Sequence, residues 1–162
     1  MLRIAARTTV ICFTLLGLIA IMPRTGSAQS ADIEQVKAAN QAYYAALSAC
    51  DIAAMERVWA PTTQAVNVAP PIRPAAHTGW DAIKKNYAGF WGTLDELTVS
   101  MEAPEIHVHG SVAWVYGIEQ AKRRAKDGTV STGKNFGTSI FIKENNRWLM
   151  VFHQAALIPA PR

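Results

Sequence analysis

The chain is poor in cysteine: 162 residues hold two, Cys12 and Cys50. Cys12 lies inside an N-terminal apolar run, so the remainder carries one thiol. A single thiol closes no internal disulfide, which leaves Cys50 as a core residue or a bridge to another molecule. There is no glycine-rich phosphate loop and no nucleophile motif, so no organic cofactor is implied. Histidines number four. His107 and His109 share a strand face, but a zinc or copper site needs a third ligand and the pattern supplies none, so no metal is expected. After the N-terminal run, no apolar stretch approaches the roughly 20 residues that span a bilayer.

The N-terminus itself has the form of a secretory signal: Arg3 and Arg7, an apolar run from Val10 to Met22, then the small residues Gly26, Ser27 and Ala28. Cleavage after Ala28 removes 28 of 162 residues and leaves 134, enough for one domain with a core over 29–162. Three arginines and no acidic residue leave with the signal, which lowers the formal net charge from +4 to +1. The basic balance is therefore mostly a property of the leader, and no nucleic-acid partner is indicated. The mature domain is expected in the periplasm or secreted, with no stable membrane insertion.

Apolar residues at Ile33, Val36, Tyr43, Leu47 and Cys50 recur at helical spacing, and Asp32 with Gln35 resembles a capping box. A second helix follows Asp51 through Met55 and Val58 to Trp59, stopped by Pro61. Ala65 to Ala69 is a short strand, Pro70 to His77 an irregular crossover, and Thr78 is placed to cap a third helix carrying Trp80, Ile83, Tyr87 and Phe90. Everything after Gly92 reads as strand. The expectation is a single α+β domain: a cone-shaped roll of curved, mostly antiparallel sheet wrapped around three N-terminal helices.

Two turns set the register of the last strands. Asn145-Asn146 predicts a two-residue hairpin pairing Glu144 with Arg147, since Asn tolerates positive φ. Without a bulge, Thr138 then meets His153 and Ile140 meets Val151 on the helix side. Phe141, Trp148 and Phe152 face outward, towards a second copy. Asp127-Gly128, read the same way, pairs Lys126 with Thr129 and puts Glu119 opposite Phe136, on the face of Thr138 and His153.

The segments YYAALSACDIAAMERVWAP, HTGWDAIKKNY, VHGSVAWVYG and GTSIFIKENNRWLMVFH give the chain its family likeness. It resembles the SnoaL-like, ketosteroid-isomerase-like branch of the nuclear-transport-factor-2-like superfamily over nearly all of the mature domain. The resemblance implies a cone with a pocket between helices and sheet. It matches Tyr43 to the isomerases' cavity tyrosine, Asn67 or Val68 to their catalytic base, and Thr138 to their late-strand donor. Neither Asn67 nor Val68 abstracts a proton from carbon, so the isomerase base is missing at its usual place.

The candidate catalytic cluster is therefore Tyr43, Glu119, Thr138 and His153, with Glu119 or His153 as base and Tyr43 or Thr138 as hydrogen-bond donor. Trp59, Asn67, Phe136, Ile140 and Val151 are the candidate ligand contacts. The expected function is binding of a small, largely apolar molecule, with proton transfer of the isomerase, cyclase or dehydratase kind. The rival reading is a non-catalytic ligand-binding or assembly module that uses the same pocket. The expected partners are that ligand and a second copy docked on the outer sheet face. The basic run Lys122-Arg123-Arg124-Ala125-Lys126 reads as a solvated hairpin tip or a surface for an anionic partner.

Overall fold

The computed structural model describes residues 25–68 and 76–158, with the backbone alone for 25–27. The expected leader up to residue 24, and the crossover from 69 to 75, lie outside these residues. Helices α1 (Thr25–Ser48), α2 (Ile52–Val58) and α3 (Trp80–Trp91) cover one face of a sheet. Its strands are β1 (Val66–Val68), β2 (His77–Thr78), β3 (Leu94–His109), β4 (Val112–Ala125), β5 (Val130–Glu144) and β6 (Arg147–Leu157). Their order across the sheet is β2-β1-β6-β5-β4-β3, parallel between β1 and β6 and antiparallel elsewhere. This is the α+β cone. Among the described residues, no helix is long and apolar enough to cross a membrane.

Local chemistry explains most element ends. Asp51 caps α2, its carboxylate accepting from Ala54 N at 3.0 Å, and the end of α2 is tied to the sheet where Ala60 N donates to Met150 O at 2.9 Å. Two expected caps differ. Asp32 lies inside α1, which begins at Thr25, and its carboxylate instead accepts from Lys143 Nζ and Trp148 Nε1, pinning the helix to β5 and β6. Thr78 is taken up by β2, so the N-cap of α3 is Gly79, whose φ of 84° only glycine adopts without strain.

Two departures of one residue each decide which side chains look into the cone. The turn at Asp127-Gly128 is a three-residue loop rather than a two-residue one: Ala125 N donates to Thr129 O at 2.9 Å, and Gly128 takes a φ of 83°. Glu119 therefore pairs with Asn135, not Phe136. The Asn145-Asn146 turn forms as expected, pairing Glu144 with Arg147, but β6 then bulges at Val151, so that Phe141 pairs with Met150 and Ile140 with Phe152. His153 meets Ser139, and Thr138 meets Gln154. The helix-facing side of β5 is consequently Ser139 and Phe141, both fully buried.

The core under the helices holds Val36, Tyr43, Met55, Trp59, Ile83, Val115, Phe141, Trp148 and Met150. Phe141 and Trp148, expected outside, are inside. Thr138, Ile140 and Phe152 occupy the other face and are half-buried.

Candidate active site

Between α1, α3 and the concave sheet lies a cavity of about 240 Å³. Its polar lining includes Tyr43 from α1, Tyr87 from α3, Asn67 from β1, Glu119 from β4 and His153 from β6. Its apolar lining includes Leu47, Phe90, Leu97, Val99 and Leu157, and Arg123, Ser131 and Asn135 add polar groups further along β4 and β5.

Glu119 and His153 are both buried, although carboxylates are rarely so without partners. Glu119 has them. Tyr44 Oη donates to its Oε1 at 2.7 Å, and His153 Nε2 lies 3.3 Å from the same oxygen. On the far side of the imidazole, Nδ1 is 3.1 Å from Ser139 Oγ. The side chains thus form one line: Ser139, His153, Glu119, Tyr44. Burial depresses the His153 pKa below its ordinary value of 6.5, and the negative Glu119 offsets this only in part. His153 is accordingly neutral at pH 7. With a carboxylate beside Nε2, the fitting tautomer carries its proton there, and Nδ1 accepts from the Ser139 hydroxyl.

Space for the Glu119 side chain comes from Gly137. A Cβ there would stand 2.6 Å from Glu119 Oε1 and 2.7 Å from its Cδ and Cγ, so any other residue would drive the carboxylate out of place.

Among the described residues both side-chain contacts to Glu119 fall on Oε1 and none on Oε2. The tyrosines offer the complementary group. Tyr43 Oη and Tyr87 Oη are 3.2 Å apart, so one hydroxyl donates to the other and one O–H of the pair remains free. Burial pushes both phenol pKa values up, which keeps them donors rather than phenolates. The Tyr43 ring also packs against His153, with centroids 4.7 Å apart. Asn67 is buried, and among the described residues neither its Oδ1 nor its Nδ2 has a partner, although an unpaired buried amide costs about 1–3 kcal/mol.

The structure thus brings Tyr43, Glu119, His153 and Asn67 together around one cavity, and it leaves the other candidates elsewhere. Thr138 turns to the outer face because the three-residue loop shifts β5 by one, and Ser139 stands in its place. Phe136 is 46 % exposed and stacks on Tyr116 outside. Ile140 pairs with Trp114 and Phe152 on that same outer side, and Val151 is the bulge residue, so neither lines the cavity. Trp59 is core, bridged to Met150 and stacked on Trp80. The sequence reading missed Tyr44, Ser139, Tyr87 and Arg123. Ser139 was recoverable from Gly128, whose placement two residues after Lys126 also fits a three-residue hairpin ending in a left-handed glycine. Tyr44 carried no separate signal, since helical periodicity assigns the inner face to Tyr43.

Solved structures with this fold are numerous. A nuclear transport factor 2-like superfamily protein from Salmonella enterica serovar Typhimurium superposes with a TM-score of 0.71 at 18 % identity, covering 84 % of this chain and 94 % of that one. A candidate dehydratase of the same superfamily from Streptomyces avermitilis gives 0.73 at 20 % identity, covering 81 % and 99 %. A ketosteroid isomerase-like protein from Erwinia carotovora atroseptica gives 0.67 at 20 % identity, covering 80 % and 98 %. At these identities the likeness is one of fold. A search of curated protein sequences gave no match. The family model of the SnoaL-like domain, however, matches residues 36–161, and the chain belongs to that family.

Proposed function

We propose that the domain takes a small, largely apolar molecule into its cavity and moves a proton on it. The observation that carries this reading is the buried Glu119 carboxylate, which lines the cavity and is gripped through Oε1 by Tyr44 and His153, with no contact to Oε2 among the described residues. Both ring nitrogens of His153 are engaged by protein groups, so the imidazole positions the base and Glu119 is the base. The spare O–H of the Tyr43–Tyr87 pair would stabilise charge developing on an oxygen of the substrate. A carboxylate base facing a neutral donor across an apolar cavity suits isomerisation or dehydration next to a carbonyl.

A generic ketone with acidic α-protons is enough to test the base. Exchange of the α-protons of a bicyclic ketone such as 2-tetralone into deuterated water, followed by NMR, should be accelerated by the wild type. Glu119→Gln keeps the shape and removes the basicity, and the acceleration should fall by about 10²-fold or more, the usual worth of a positioned base. Equal exchange by the two proteins would remove Glu119 from the chemistry. Ketone binding without exchange by the wild type would leave a binding module.

We also propose that the chain is exported, on the strength of Arg3 and Arg7, the Val10–Met22 run and the small residues ending at Ala28. An intact mass beginning at Gln29 in the exported fraction is the expected result; protein retained in the cytoplasm with its leader would reject it.

A further inference from the structure

We infer that the cavity is built for an elongated acid, with the anionic head at Arg123 and the reacting end at Glu119. The inference rests on the cavity reading above and adds a substrate class to it. In the sequence Arg123 belongs to a run of cations, but strand alternation divides that run. Lys122 and Arg124 are exposed on the outer side, where Arg124 pairs with Glu96 at 3.2 Å. Arg123 is half-buried on the inner side and lines the cavity with Glu119 and Ala121.

Its guanidinium is largely unspent. Nε donates to Ser131 Oγ at 2.6 Å, and among the described residues no carboxylate lies within ion-pair distance of it. Four of the five N–H groups therefore remain, in the planar fork that matches a carboxylate. Asn135 lines the cavity beside it.

The two ends also fix a direction. Glu119 and Arg123 are four residues apart on one strand, about 13 Å between backbones. The wall between them includes Leu97, Val99 and Ala121. An anion is repelled at the Glu119 end and attracted at the other, so a ligand with an acid head and an apolar body enters one way round. That orientation sets its far carbon, not its carboxylate, against the base.

The discriminating experiment is calorimetric titration at pH 7.5 with hexanoate, octanoate and decanoate, each against its primary amide. The wild type should bind at least one acid about tenfold tighter than its amide, as charge-assisted contacts to a half-buried cation do. Arg123→Gln should bring that ratio to about one, and measurable binding of the amide by the variant shows that the cavity is intact. Lys122→Gln, on the outer side, should leave the ratio as it is. A wild-type ratio near one at every chain length, absence of binding by every acid, survival of the preference in Arg123→Gln, or an equal loss in Lys122→Gln would each overturn the inference. The two proposals fail separately: acid preference without ketone exchange sinks the base and spares Arg123, and exchange without acid preference does the reverse.

Discussion

The two faces of this one sheet are made from alternate residues of the same strands, yet they differ in kind. On the concave face of β5 and β6, Ser139, Phe141, Met150 and His153 are fully or nearly fully buried, and the polar ones among them are bonded side chain to side chain. On the convex face His107 lies parallel to Trp114 and Tyr116, at centroid distances of 5.2 and 5.8 Å, and Tyr116 stacks in turn on Phe136. Those rings stay open to solvent, with Trp114 40 % and Phe136 46 % exposed. Both faces are greasy, so hydrophobicity alone does not separate them. Buried ionisable groups do: the inner face holds Glu119 and His153 bonded to each other and to Tyr44 and Ser139, whereas the outer face presents flat aromatic surface.

The largest expected effect tests that distinction at adjacent positions. Phe141→Ala removes a fully buried ring from under the helices and should cost about 3–5 kcal/mol of unfolding free energy, the range for an emptied aromatic site. Ile140→Ala, one residue away on the half-buried convex side, should cost less than about 1.5 kcal/mol, because less of its surface leaves water on folding. Urea titration of both variants at low concentration decides the matter, and the reverse ranking would mean that β5 is turned over.

A second contrast is in pH. Burial holds His153 neutral, below its ordinary value of 6.5, so at pH values between that figure and the lowered one the unfolded chain binds a proton that the folded chain refuses. Stability from this group is therefore complete above pH 6.5 and declines as the pH falls through the lowered value. The thermal midpoint should drop between pH 7 and pH 5, and His153→Gln should flatten that part of the profile while lowering stability at pH 7. An unchanged slope in the variant would show that the imidazole is not the group responsible.

The course of the chain was legible in the sequence because it rests on strong local signals: helical spacing in α1, the Asp51 cap, prolines that stop elements, and the paired asparagines at 145 and 146. Facing was less legible, because it depends on single-residue events with weak signals. Lys126-Asp127-Gly128 and Asp127-Gly128 are both acceptable hairpin loops, and nothing in Met150-Val151-Phe152 announces a bulge. The two slips compensate between Glu119 and His153, which therefore share the cavity in either register. They do not compensate at Thr138, Ile140 or Phe136, and those three candidates were placed on the wrong side. Ser139 took the role assigned to its neighbour.

The smallest effect on the fold, and the most specific to the convex side, concerns the aromatic stack. We propose that a second copy covers it, since Trp114, Phe136 and Val112 form exposed apolar surface around the half-buried Ile140 and Phe152, and a sheet with two apolar faces needs both covered. Trp148 takes no part, being buried against α1 and donating to Asp32 at 3.3 Å. The double variant Trp114→Ser with Phe136→Ser should sediment as a monomer where the wild type sediments as a dimer. At concentrations low enough to keep both proteins monomeric, each surface change should shift the unfolding free energy by no more than about 0.5 kcal/mol. A wild type that sediments as a monomer rejects the pairing. A variant that loses several kcal/mol as a monomer would instead make the stack part of the protomer's own core, and the contrast between the two faces would collapse into one of degree.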